Sequence, residues 1–323
     1  MARRYQFPNM AYWDDPKANV PDMISWDSMT FWTGFHIEDF RRDNFKYLDE
    51  PLSFHYATGK LMTLIAFHDF EMARSWCAEV RAKGRWIQAN SEPMALLYLG
   101  QFIDLVGQEF YPDYLDESEM LLTRLAMGEK PCAYFRDASE FGLRKMLAWG
   151  IHPSSAPDGS TEGLAPAEKE PIENRQRLYL KYARRAIRIA NAGWRPLTHA
   201  RAIAARPEDD YIEGTTLETL EVGGKTAWKS VCDTYAAPGD LFNVERFGDG
   251  SDGLYFTLRS YSYLYAEAIV YIDLDALGLA GRGLVPSEII EGRALSWDES
   301  GGMMRIVVPV TYSETLVISL AGP

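Results

Sequence analysis

Apolar positions along this chain change period several times. Residues 69–84, DFEMARSWCAEVRAKG, carry apolar side chains at helical spacing and stop at glycine, which predicts a helix. RWIQAN (85–90) is a short apolar run with a polar end, a strand. SEPMALLYLGQF then opens with Ser91, a candidate N-cap, and Pro93 in the first turn. The same alternation continues. FIDLVGQEF (102–110) predicts a strand and DESEMLLTRLAMGEK (116–130) a helix with acidic residues first and Gly128 last. PCAYF (131–135) predicts a strand, ASEFGLRKMLAWG (138–150) a helix, GIHPS a strand end, and 172–194 a long amphipathic helix stopped by glycine. Upstream, PDMISWDSM (21–29) is a short apolar run that ends in Asp27.

Strands alternating with helices over short loops predict parallel βα units. Each strand ends in a polar residue: Asp27, Asn90, Glu109, Tyr134 or Arg136, and His152. Such endings fit the C-terminal rim of a (β/α)8 barrel, where active sites sit. A doubly wound sheet competes, but no Gly-rich phosphate fingerprint follows any strand. The strands number five, whereas a closed barrel takes eight. Residues 153–171 are Pro/Gly/Ser-rich and read as a loop, and 206–240 as a polar, acidic connector. Beyond 241 the pattern turns to strands with Gly- and Asp-rich turns, predicting a small antiparallel β-sandwich. The expected organisation is α/β: a partial (β/α)8 domain over 1–205 with an inserted loop at 28–68, the connector, and a sandwich over 241–323.

Composition narrows the chemistry. With 323 residues, 47% hydrophobic and 24% charged, the chain is typical of globular proteins. No apolar run reaches the roughly 18–20 residues that span a bilayer. The start, MARRYQFPNM, lacks the apolar segment of a signal peptide, so a cytoplasmic location is expected unless the natural chain begins further upstream. A net charge of −13 argues against a nucleic-acid partner. Three dispersed cysteines and five histidines without HExxH or HxH predict no metal and no cofactor. No GxSxG elbow occurs. Aromatics at 13% would suit sugar stacking where they flank polar loops.

The segments PDMISWDSMTFW, FRRDNFKYLDEPLSFHYATGK, AKGRWIQAN, IDLVGQEF, AGWRPLTHARA and VERFGDGSDGLYFTLRS together resemble a bacterial retaining α-glycosidase, a barrel followed by a C-terminal β-sandwich. The resemblance implies that the chain holds about strands four to eight of such a barrel. In that family the nucleophile ends strand four and the acid/base ends strand six; Asp27 and Glu109 match those positions. It also implies a carbohydrate substrate. Strands one to three have no counterpart in the chain, so a second chain, a longer parent protein or self-assembly is expected to complete the barrel. A half-barrel would otherwise expose the edges of a parallel sheet.

Glycoside hydrolysis uses two carboxylates about 5–5.5 Å apart for retention and about 6.5–9.5 Å apart for inversion. The acid needs the more apolar pocket, for which Phe110 and Tyr111 beside Glu109 are suitable walls. Asp27 also fits a turn or cap, and Glu109 an ordinary loop carboxylate. Asp104, inside its strand, suits a structural role. Asn90, Trp32, His152, Arg41 and Tyr134 are candidate sugar contacts. Asn90 also suits a capping role with Ser91, and His152 a structural one before proline. Arg41 and Arg42 also suit salt bridges with Asp39 and Asp43. Asp69 is a candidate N-cap, with His68 beside it. Two functional classes fit the sequence, a two-carboxylate glycoside hydrolase and a non-catalytic carbohydrate-binding or scaffold subunit; a lyase or isomerase barrel is a third.

Overall fold

The computed structural model describes residues 23–26, 38–46, 52–90, 97–108, 112–113, 117–134, 138–153, 164–205, 216–222, 225–231, 242–250, 253–261, 266–311 and 313–322. The chain divides into two compact units, Met1–Glu109 and Phe110–Pro323. Among the described residues no helix is long and apolar enough to cross a membrane.

In the first unit the elements run β1 (Met23–Trp26), β2 (Glu38–Asp39), α1 (Arg42–Phe45), β3 (Ser53–Phe54), β4 (Leu61–Leu64), α2 (Ile65–Ala82), β5 (Trp86–Asn90), a 3-10 segment (Leu97–Phe102) and β6 (Leu105–Gln108). Strands β1, β5 and β6 are parallel neighbours in that order. Their period-two alternation sends Ile24 and Ile87 toward α2, where they meet Trp76, Cys77 and Val80. The register pairs Met23 with Trp86 and Ser25 with Gln88 on the opposite face. Asp104 has the structural role expected of it: one oxygen accepts from Arg81 Nη2 at 2.7 Å and the other from the Ile87 amide at 2.9 Å. That ties the end of α2 to β5. Asp69 falls inside α2, which already begins at Ile65, so it is not the expected N-cap. Residues of the inserted loop build a small antiparallel sheet, β2-β4-β3.

The second unit continues with α3 (Glu117–Met127), β7 (Cys132–Tyr134), α4 (Glu140–Ala148), β8 (His152–Pro153), α5 (Pro166–Ala192), β9 (Trp194–Arg195) and β10 (Ala200–Ala204). Strands β7 and β8 are parallel. Helix α5 starts six residues before the expected 172, because Pro166 suits its first turn and the Glu168 carboxylate accepts from the Ala165 amide at 2.9 Å. Next come β11 (Thr216–Val222) and β12 (Lys225–Val231), an antiparallel hairpin in the stretch expected to be a bare connector. The remaining strands are β13 (Phe242–Phe247), β14 (Leu254–Ser260), β15 (Ala266–Asp273), β16 (Val285–Glu288), β17 (Ser296–Ser300), β18 (Met303–Val310) and β19 (Thr315–Ala321).

These strands form two antiparallel sheets, β10-β15-β18-β17 and β16-β19-β14-β13-β9. Alternate residues of both, among them Phe256, Leu258, Val270, Ile306 and Ile318, bury a shared core. Strands β9 and β10 lie within 1–205, yet both are hydrogen-bonded into these sheets, so the sandwich recruits residues ahead of the expected start at 241. All seven residues of β14 are buried. One face meets the opposing sheet. The other meets helices: Thr257 Oγ1 donates to the Ala148 carbonyl at 2.7 Å, and Thr315 Oγ1 to the Arg144 carbonyl at 2.8 Å.

Buried polar groups lock this layer. Arg124, 1% exposed, donates to the carbonyls of Gly128, Lys130, Trp149 and Gly150 and so closes the ends of α3 and α4 together. Gly150 has φ 60°, and a Cβ there would lie 2.4 Å from the Phe247 ring, so only glycine fits. Arg259 reaches Glu117 at 3.2 Å and the Ser313 carbonyl at 2.5 Å, while Trp149 Nε1 donates to the other Glu117 oxygen at 2.7 Å.

Helices α4 and α5 are joined by Glu140, which accepts from the Tyr182 hydroxyl at 2.7 Å and from Arg144 at 2.8 Å. Burial alone would raise the Glu140 carboxyl, but the Tyr182 and Arg144 bonds outweigh it and hold it below its ordinary 4.5. A lowered folded-state value stabilises above 4.5, and the gain is lost as pH falls through the folded-state value. Replacing Tyr182 by Phe is expected to lower stability at neutral pH by about 1 kcal/mol and to make the acid-induced loss below pH 4.5 shallower. Urea melts at about pH 7 and about pH 3.5 check this.

Candidate functional site

The two candidate carboxylates, Asp27 and Glu109, lie outside the described residues, as does Trp32. Their positions follow described elements directly: β1 ends at Trp26 and β6 at Gln108. These strands flank β5 on either side. The register pairs Trp26 with Ala89 and Asn90 with Gly107, so the three strands end within about two residues of one level.

Asn90 ends β5, is buried and lies one strand from both β1 and β6. By alternation it shares the face of Trp86 and Gln88, opposite the α2-facing Ile87 and Ala89. That face is uncovered at its lower end: Trp86 is 60% exposed and Met23 38%. Gln108, fully buried at the end of β6, shares by alternation the face of Val106 and Ala89, opposite that of Asn90, so it belongs to the covered side of the sheet.

In the second unit His152 stands opposite Ala133 in the β7–β8 register. Burial, and then the positive charge of Arg124, hold its imidazole below the ordinary 6.5, so it is neutral at pH 7 and offers one donor and one acceptor. Tyr134 is 1% exposed, its hydroxyl hydrogen-bonds Thr123 of α3, and burial pushes its pKa up. In the structure it packs within the layer that α3 covers. A tyrosine at a strand end reads the same in sequence on either face; the register pairs Ala133 with His152 and Tyr134 with Pro153, so Tyr134 and His152 lie on opposite faces.

Arg41 is exposed and engaged with its neighbour. Nε and Nη2 donate to the two Asp39 oxygens at 2.8 and 2.7 Å, and its amide adds a third bond at 2.8 Å. The Asp39 hydrogen bond and charge raise its pKa. The arrangement holds the inserted segment locally, and the ion pair expected of Arg41 and Asp39 is present. Beside it, Phe40 meets His55 edge-on at 5.6 Å and His55 stacks on Tyr56 at 5.1 Å. Tyr56 is 95% exposed, and Phe54 is exposed too.

No protein-family model and no curated protein matches the chain. Three solved structures share loose, partial likeness. A rhamnosidase from Novosphingobium sp. PP1Y is 10% identical with a TM-score of 0.23, covering 67% of this chain and 17% of that one. Amy13B from Eubacterium rectale is 8% identical with a TM-score of 0.33, covering 79% and 57%. A GH27 β-L-arabinopyranosidase from Geobacillus stearothermophilus is 11% identical with a TM-score of 0.24, covering 77% and 60%. The chain thus matches less than two thirds of each of these three structures, and 89% of a second structure of the arabinopyranosidase.

Proposed function

We propose that this chain is a glycoside hydrolase acting on an α-linked sugar, with Asp27 as nucleophile and Glu109 as acid/base of a retaining mechanism. The observation that carries the reading is the strand order. The two carboxylates directly follow β1 and β6, parallel strands separated only by β5. Neighbouring strands lie about 4.7–4.9 Å apart, so β1 and β6 are roughly 10 Å apart, and the retaining mechanism needs the two carboxylates to approach to roughly 5–5.5 Å. On this reading Asn90, buried at the end of β5 between β1 and β6, hydrogen-bonds a sugar hydroxyl. In this mechanism Asp27 attacks the anomeric carbon while Glu109 protonates the departing oxygen; Glu109 then deprotonates the water that displaces Asp27. The experiment is a panel of aryl α-glycosides with NMR of the first-formed anomer. Release of the α-anomer is expected. A β-anomer, or no turnover of any member, overturns the retaining assignment.

The uncovered face carrying Trp86 and Met23 supports the need for a covering chain, since parallel sheets are ordinarily buried on both sides. Native mass spectrometry is expected to find the chain in a complex, with itself or with a second protein. A monomer in solution counts against it.

A second reading, a non-catalytic carbohydrate-binding subunit, is favoured by the exposed ring cluster of Phe40, His55 and Tyr56, whose faces suit the C–H side of a pyranose. Tyr56→Ala is expected to weaken oligosaccharide retention in affinity electrophoresis about ten-fold without altering the melting temperature.

A further inference from the structure

The C-terminal sandwich has a recess of its own, where β14 begins and β19 ends, with a volume of about 250 Å³. One side is apolar and is built from Leu254, Leu279, Leu284 and Leu320, all members of the inter-sheet core. The other side is polar and carries Arg188, Tyr255, Arg282 and Ser319. Its lining therefore holds two guanidinium groups and, among the described residues, no carboxylate, in a chain of net charge −13.

The arginines are placed differently. Arg188 projects from α5, and its Nε donates to the Tyr255 hydroxyl at 2.8 Å while its guanidinium lies 5.4 Å from the ring centre. Tyr255 is itself buried, so it orients the guanidinium of Arg188, which lines the recess, and uses only its Nε. Arg282 stands on a turn closed by its amide to the Leu279 carbonyl at 3.3 Å. Its side chain makes no hydrogen bond or ion pair with another described residue. Gly250 and Gly253 line the wall with backbone alone. A Cβ on Gly253, at φ 130°, would lie 2.8 Å from the Tyr255 hydroxyl, displacing the group that holds Arg188.

We infer that this recess binds a small oxyanion, a phosphate or a carboxylate, with any short apolar body against the leucines. Two guanidinium groups, one pre-oriented, suit the forked hydrogen bonding of such anions. At about 30 Å³ per liquid water the volume accommodates an anion the size of phosphate or benzoate. The site stands independently of the reading at Asp27 and Glu109.

Isothermal titration of the full chain with inorganic phosphate and, separately, with benzoate tests it. Saturable binding of one equivalent is expected for at least one of them, and which one separates the phosphate from the carboxylate source. Arg282→Met, at an exposed turn position, is expected to keep the wild-type melting temperature and to weaken that binding at least about ten-fold; Arg188→Met should do the same. If Arg188→Met fails to fold, Arg282→Met decides alone. Failure of both anions to saturate, or wild-type affinity in Arg282→Met, overturns the assignment, and neither outcome bears on aryl glycoside turnover.

Discussion

Replacing Asp27 by Asn is expected to abolish turnover of aryl α-glycosides, by on the order of 10⁴-fold or more in kcat, with the far-ultraviolet spectrum and melting temperature unchanged. An amide of the same size keeps the shape and removes the nucleophile. Glu109→Gln is expected to behave differently. Loss of general acid catalysis costs about 10²–10⁴-fold for poor leaving groups. It should cost far less for dinitrophenyl glycosides, whose leaving oxygen needs no proton. Azide separates the two roles further. In Asp27→Ala it should restore turnover and give a glycosyl azide of inverted configuration, and in Glu109→Ala one of retained configuration. Wild-type rates in Asp27→Asn would remove the nucleophile assignment, whereas no turnover by the wild-type chain would leave the carbohydrate-binding reading.

The largest effect on stability is expected at Arg124. Its replacement by Met leaves up to four carbonyls, those of Gly128, Lys130, Trp149 and Gly150, without their donor. At about 1 kcal/mol for each, the loss should be about 3–5 kcal/mol, read as a shift of the urea midpoint. Arg124→Lys should retain only part of this stability, because an ammonium lacks the planar fork that reaches two helix ends at once. The Met substitution carries a second readout. His152 is held low by burial first and by Arg124 second, so Arg124→Met should raise the His152 pKa toward its ordinary value while burial still keeps it below. NMR titration of the imidazole follows this, and an unmoved value would show that burial acts alone.

Much of the element order was legible because it rests on local periodicity. Helices α3 and α4 and strands β5 to β8 fall inside the runs that the spacing of apolar residues predicts. Where local signals were misread, a local reason exists. Pro166 starts α5 early, and β4 runs straight into α2 at Ile65, which leaves Asp69 inside the helix. The candidate site was legible only as sequence positions beside strand ends. Which way a strand-end side chain faces depends on its neighbour's register, and only the β7–β8 pairing, Ala133 with His152 and Tyr134 with Pro153, put Tyr134 and His152 on opposite faces.

The sequence by itself determined that parallel βα units come first and an antiparallel, two-sheet portion follows, because period 3.6 and period 2 are written residue by residue. It also determined the net negative charge and the carboxylates next to β1 and β6. Only the tertiary structure decided what packs on what. In β14, Tyr255, Thr257 and Arg259 alternate with the residues of the inter-sheet core, yet they too are buried, with Thr257 and Arg259 bonded to Ala148 and Glu117. Residues 194–204 follow α5 in sequence but pair with the distant β13 and β15, Trp194 with Phe247 and Ala200 with Ile272. Such pairings depend on hydrogen bonds and apolar burial between segments distant in the chain, which no local pattern encodes.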